Sequence, residues 1–416
     1  MSTTTTGTPA TPTTTTAPAD TVTATIPTTM RAVVVHGPGD YRLEERPVPT
    51  PGPGELLLRT DAVGICASDL KCWHGAAKFW GDEHRAAWAE TDRVPGHEFV
   101  GTVVAADDAA LAKRGLAIGD RIACEQIVPC WECRYCLEGS YWMCAVHDMF
   151  GFKGFDGAMA EYVLVPTRAL THPVSRALPG QVAAFAEPLS CAFHAVERGE
   201  IRFGDTVVIA GAGPIGLSAI AGARQKNPLR VVALDVVDAK LDLARKVGAD
   251  VTINIAREDA VARVKELTDG YGADVYIEAT GHPSAVPQGL DLLRKLGTFV
   301  EYSVFKDAVS VDWSIISDDK ELDVRGAHLG PHTWPAAIKL LESGTLPMDE
   351  ICTHQFPLED FQQALDLVGD SAGASVKVSI VPSLSAPTTA AASGSAASST
   401  ASSTAESVPA AAAARA

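Results

Sequence analysis

The stretch DTVVIAGAGPIGLSAIAGA, from Asp205 to Ala223, decides the fold. TVVIA is a short run of branched and small apolar residues, the composition of a strand buried on both faces. Gly211-x-Gly213-x-x-Gly216 then predicts a turn into a helix. Gly211 allows the tight turn, Gly213 lets the backbone approach a pyrophosphate, and Gly216 permits close helix packing. Pro214 and Ile215 complete the loop and open the helix, whose N-terminus presents partial positive charge to phosphates. A glycine pattern alone proves little, but here a strand precedes it, a helix follows, and a second strand, RVVALD, ends at Asp235. That carboxylate lies about twenty residues on, where it accepts the ribose hydroxyls and repels a 2′-phosphate. Lys240 is expected along the adenosine side. The segment reads as an NAD site in preference to an NADP site.

Outward from this centre the alternation continues: VTINI, a helix near AVARVKELTD, ADVYIEATG, a helix near GLDLLRKL, then GTFVEYSVF. Strands alternating with helical patterns predict a doubly wound parallel sheet over residues 186–327. Residues 30–185 read as short strands broken by Gly and Pro, a compact β-rich domain. IKLLESG and FQQALDLVG, within 328–382, suggest helices that return to that first domain. The fold class is therefore α/β with two domains, which 416 residues can supply with separate cores.

The ends differ in composition. Residues 1–29 are dominated by Thr, Pro and Ala without a single Lys or Arg, and 383–416 by Ala, Ser and Thr. Both are expected to be disordered tails, with Met30 a plausible true start. Neither a secretory signal nor a transit peptide fits such a beginning. No apolar run approaches the roughly 18 residues of a membrane span, so no membrane partner is expected. The net charge of −17 argues against nucleic acid, which wants a basic face.

Nine cysteines and no export signal point to the reducing cytoplasm, where structural disulfides are rare. Cys130, Cys133, Cys136 and Cys144 follow the spacing C-x2-C-x2-C-x7-C. Tight steps let one loop wrap a tetrahedral ion, and four thiolates saturate zinc, the mark of a structural site. Iron–sulfur runs use other spacings and usually a following Pro. A second group, Cys66 in GICASDL, His97 and Glu98 in VPGHEFVG, and Glu187 in AEPLSCAFH, consists of zinc-binding types from three segments. A mixed S, N and O set with few ligands suits a catalytic ion that keeps a place for substrate oxygen.

GHEFVG, the cysteine quartet, EPLSC and GAGPIG, in that order, resemble the zinc-dependent medium-chain dehydrogenases over about residues 30–382. The likeness is to the sorbitol, xylitol and threonine dehydrogenase branch. Within it, CASDLKCWHGAAKFWGDE looks most like the bacterial erythritol/L-threitol dehydrogenases. The resemblance implies a GroES-like catalytic domain, a Rossmann coenzyme domain and a homo-oligomer, dimer or tetramer. It implies two zinc ions per chain, one catalytic and one structural. Cys66 and His97 would be direct ligands, Glu98 the third, and Glu187 a ligand either direct or through water. Glu187 stands where the alcohol dehydrogenase branch has a cysteine, which favours polyol or amino-alcohol substrates.

Ser68, two residues after Cys66, is placed to take or pass the hydroxyl proton, against the plainer role of a turn-capping hydroxyl beside Asp69. Departures bear on the details. Lys71 stands where many relatives carry a relay histidine, and an amine of ordinary pKa is a poor base at neutral pH. His74 is a possible substitute or a surface residue. Trp73, Trp80 and Trp88 lie in a longer segment that either lids the pocket or simply packs. Leu329 and Gly330 stand where the sorbitol branch has Arg-Tyr, which favours a shorter polyol. The expected reaction is NAD-dependent oxidation of a short polyol to a ketose. The alternatives are an L-threonine 3-dehydrogenase or vicinal-diol dehydrogenase and, more distantly, a non-catalytic zinc- and NAD-binding protein.

Overall fold

The computed structural model describes residues 25–305, 307–370 and 375–385. The expected tails at 1–29 and 383–416 lie outside the described residues except for 25–29 and 383–385.

Thr206–Ala210 is buried at every position, as a central strand with helices on both faces must be. Arg230–Asp235 and Ala273–Glu278 pair with it in parallel on either side. Val251–Asn254, Leu293–Glu301 and Asp323–Gly326 complete a six-stranded sheet. In chain order it reads third, second, first, fourth, fifth, sixth, the doubly wound arrangement, so its ligand crevice opens where the order reverses. Helices Pro214–Gln225, Asp238–Val247, Ala260–Leu267 and Ala285–Leu292 make the crossovers.

One boundary is corrected. The helix expected near Gly289–Leu296 ends at Leu292, and Leu293–Leu296 opens the next strand. The apolar spacing of GLDLLRKL runs across the join, so periodicity alone could not find the break. Leu296 sits at φ +60°, a backbone state that no helix residue adopts.

The second sheet has seven strands: Thr171–Pro173, Arg121–Cys124, Glu98–Ala106, Leu56–Gly64, Val378–Ile380 and His354–Phe356 in that order, with Tyr162–Val165 also on Leu56–Gly64. A hairpin of Thr29–Gly37 and Asp40–Pro47 packs beside it, sharing one apolar core. Val378–Ile380 pairs antiparallel with Leu56–Gly64, so the chain returns to its first sheet after the parallel one. Helices Trp334–Glu342 and Phe361–Gly369 lie on this return. Among the described residues no helix is long and apolar enough to cross a membrane.

Candidate metal centre and dinucleotide cleft

Register creates the first constellation. Gly64 pairs with Glu98 at one end of two antiparallel strands. Cys66, two residues beyond Gly64, and His97, one before Glu98, therefore emerge together. One donor atom each from Cys66, His97 and Glu98 lies within 4.8 Å of the others. A side chain at Gly64 would overlap Glu98 Oε2 and the Lys377 stem, so this close approach requires glycine.

Two residues that the sequence reading did not single out organise these donors. Asp69, three residues into the helix Ala67–Trp73, accepts from the Cys66 backbone N–H at 2.9 Å. Its other oxygen faces His97 Nδ1 at 3.4 Å, and both groups are buried. That leaves Nε2 as the ring nitrogen for an ion, the usual carboxylate–histidine arrangement of metal sites. The signal was in the chain, as an acidic residue three after a helix cap. Lys377 is 3% exposed, pairs with Glu98 Oε2 and donates to the Ile65 carbonyl at 2.9 Å. No local pattern marks it, because it arrives from the far end of the chain.

The electrostatics of the cluster favour a cation. Burial opposes charge on His97, but the Asp69 carboxylate and the Cys66 sulfur outweigh it and raise its pKa well above the ordinary range. Burial likewise opposes charge on Lys377, and Glu98 more than restores it. His97 Nδ1 and Asp69 Oδ1 are buried facing each other, and Glu98 Oε2 is buried against the Lys377 amine. A cysteine sulfur, an imidazole Nε2 and a carboxylate form a donor set that fits zinc with an open position.

Glu187 is not part of that three-residue cluster. It opens the helix Ala186–Arg198, fully enclosed, and accepts from Gln126 Nε2 and from Cys191 Sγ at 3.2 Å. Burial, reinforced by Glu98, raises its carboxyl to about 7. Gln126 is a third residue that the sequence did not mark.

Ser68 is half-buried on the first turn after Cys66. Lys71, on the same helix, donates to the Val304 carbonyl at 2.6 Å and so bridges to the segment that leaves the parallel sheet at the carboxyl end of Leu293–Glu301. Its amine is lowered by burial. His74 is exposed at the helix C-terminus, away from the donors. The tryptophans divide. Trp73 packs edge-on against Tyr41 at 4.9 Å, and Trp80 donates to the Cys72 carbonyl at 2.7 Å. Trp88 joins Phe79 and Phe152, whose ring lies 5.1 Å from that of His97.

The quartet assembles in a separate lobe. Donor atoms of Cys130, Cys133, Cys136 and Cys144 lie within 4.8 Å of one another. Backbone N–H groups point at the sulfurs, Cys130 N to Cys144 at 3.3 Å and Ala145 N to Cys133 at 3.4 Å. The Ala145 N–H, with that of Cys136, draws the Cys133 thiol down to about 6. All nine cysteines are free of disulfides, and the four thiols fit a closed zinc site.

The glycine loop has the predicted geometry. Gly211 takes φ +94° against the Ala279 carbonyl, and a side chain on Gly216 would overlap the Gly211 carbonyl. Gly213 caps the helix Pro214–Gln225 and faces open space, as a phosphate-binding turn requires. Asp235 accepts from the backbone N–H of Ala212 at 2.7 Å and of Val237 at 2.9 Å, tying the second strand to the loop. Lys240 lies on the following helix.

Comparison with known proteins agrees with this geometry. Residues 52–176 match the alcohol dehydrogenase GroES-like domain and 214–343 the zinc-binding dehydrogenase domain. The chain is 67% identical over 354 residues to an erythritol/L-threitol dehydrogenase of Mycolicibacterium smegmatis, covering 85% of this chain and 98% of that one. It is 35% identical to an L-threonine 3-dehydrogenase of Pyrococcus abyssi, covering 81% and 93% respectively. A zinc-binding dehydrogenase of Sinorhizobium meliloti, solved with NADP, is similar with a TM-score of 0.77 and 30% identity, covering 85% of this chain and 99% of that one. Domain matches and relatives together span both sheets and both cysteine-bearing segments, and the chain belongs to the zinc-dependent medium-chain dehydrogenases.

Proposed function

We propose that the protein oxidises a secondary hydroxyl of a short polyol, of the erythritol or L-threitol kind, to a ketone with NAD as hydride acceptor. The observation that carries the reading is the trio of Cys66, His97 and Glu98, converged within 4.8 Å and belonging to the same chain as a dinucleotide cleft. Cys66, His97 and Glu98 would hold zinc, with Glu187 nearby, and the bound ion would supply Lewis acidity that lowers the pKa of a substrate hydroxyl. Ser68, half-buried, relays the released proton, accepting it at the hydroxyl oxygen and passing its own hydroxyl proton on to water. Lys71 spans from the donor helix to Val304 and fixes the distance between donors and coenzyme sheet. Glu187, held by Gln126, keeps a second carboxyl beside the reacting hydroxyl.

The Gly211–Gly216 loop takes the pyrophosphate, and Asp235 and Lys240 take the adenosine ribose. The Asp235 carboxylate disfavours a 2′-phosphate, which supports NAD although the Sinorhizobium structure holds NADP. The quartet holds the structural zinc. We read residues 30–185 and 328–382 as the catalytic domain and 186–327 as the coenzyme domain, in a cytoplasmic homo-oligomer.

Initial rates of NADH formation with erythritol, both threitols, xylitol, sorbitol and L-threonine test the proposal. A preference for a tetritol is expected. Turnover of threonine alone would support the second reading, which the 35% identity to a threonine dehydrogenase favours. Silence on every substrate would refute both.

A further inference from the structure

A row of rings leads away from the metal donors. Phe152 lies against His97, Trp88 against Phe152 at 5.5 Å, and His147 against Trp88 at 5.4 Å. His147 then stacks on His328 with ring centroids 5.3 Å apart and planes 21° from parallel. Two imidazoles thus close a row of otherwise apolar rings that begins at a metal donor.

Three features distinguish this pair from packing histidines. Both rings are half-buried, yet neither ring makes a hydrogen bond to a described residue, and their nitrogens are not sealed from solvent. A packing histidine normally satisfies its nitrogens within the protein. Second, the backbone is strained on both sides: His147 sits at φ +55° and Leu329, next to His328, at φ +56°. Non-glycine residues in the left-handed region need support from their surroundings, and they gather at functional sites. Third, the His328 ring is held neutral. Burial, with His147, Lys78 and His194, brings His328 to about 4. A neutral imidazole offers one donor and one acceptor.

We propose that His147 and His328 are specificity-determining residues that hold a hydroxyl of the polyol distant from the reacting carbon. A hydroxyl both donates and accepts, and a stacked pair of imidazoles with free ring nitrogens presents the complement. The neighbouring groups do not compete for that role: Leu329 packs among Trp88 and Phe152, and Gly330 lies so close to Ser190 that no side chain fits there. This assignment rests on the polyol reading and adds the means of recognition.

The test uses the zinc-loaded full chain with NAD and compares a tetritol with 2,3-butanediol, which keeps the vicinal diol and lacks the terminal hydroxyls. His328→Phe and His147→Phe are each expected to lower kcat/KM for the tetritol roughly tenfold, the worth of about one hydrogen bond, while 2,3-butanediol stays within about twofold. His328→Gln, which retains a donor and an acceptor, should recover part of the loss. A parallel fall on both substrates would show a structural role and overturn the assignment, as would no fall on either. If one variant fails to fold, the other decides. A wild-type chain inactive on every tetritol removes the polyol reading and the assignment together, whereas an active one with an unmoved substrate ratio removes the assignment alone.

Discussion

Lys377→Met tests the account of the metal centre most directly. The Lys377 and Glu98 side chains are 4% and 2% exposed, so neither can be rescued by water. Removing one partner of such a pair destabilises by about 3–5 kcal/mol, because the other charge stays buried and alone. The Ile65 carbonyl also loses its donor, about 1–3 kcal/mol. With zinc bound, Glu98 keeps a cation beside it, and only the carbonyl term should remain. The metal-free protein therefore loses roughly 3–5 kcal/mol more than the loaded one, and by linkage the variant must bind the ion roughly 150- to 5,000-fold more tightly. Urea unfolding of zinc-loaded and chelator-stripped protein measures the first quantity, and competition with a metal-binding dye the second. Equal losses in both forms, with zinc affinity unchanged, would show that Lys377 does not compensate Glu98.

Three further outcomes are expected. Asp69→Asn should weaken zinc binding at this centre about 10- to 100-fold without unfolding the helix, read by dye competition, since the ring of His97 loses the carboxylate that orients it. Asp235→Ala should raise the NAD KM about tenfold and narrow the preference over NADP, because both the ribose acceptor and the tie to Ala212 disappear. Glu301, raised to about 8 by burial and by Glu278, binds its proton more tightly folded than unfolded. Its contribution to stability is therefore present near pH 4.5 and lost as pH rises through about 8. Glu301→Gln should match wild type in urea near pH 4.5 and exceed it increasingly toward pH 8.

What could be read from the chain depended on how far apart the partners stand. Gly211, Gly213, Gly216 and Asp235 were legible because backbone geometry within some twenty-five residues demands them, and the parallel sheet follows from that unit. The quartet was legible for the same reason. Cys66, His97 and Glu98 could be listed by type, but only the Gly64–Glu98 register shows why they converge. Lys377 resembles any surface lysine until Val378–Ile380 is placed on Leu56–Gly64. His147 and His328 have no spacing rule at all: their stacking depends on how the cysteine lobe meets the segment after Asp323–Gly326. The Leu292–Leu293 boundary failed for a different reason, since an apolar spacing continued through a change of backbone state.

The return of the last strand has a consequence for biosynthesis. Lys377 reaches the Ile65 carbonyl across 312 residues of sequence. A ribosome will have released Cys66, His97 and Glu98, and allowed the parallel sheet to form, well before that lysine emerges. Until then the nascent donors sit at a sheet edge with Glu98 uncompensated, a state that favours early capture of an ion. Arrival of the final strand would then close the edge and set the charge balance, so metal loading and completion of the fold become successive events on the emerging chain.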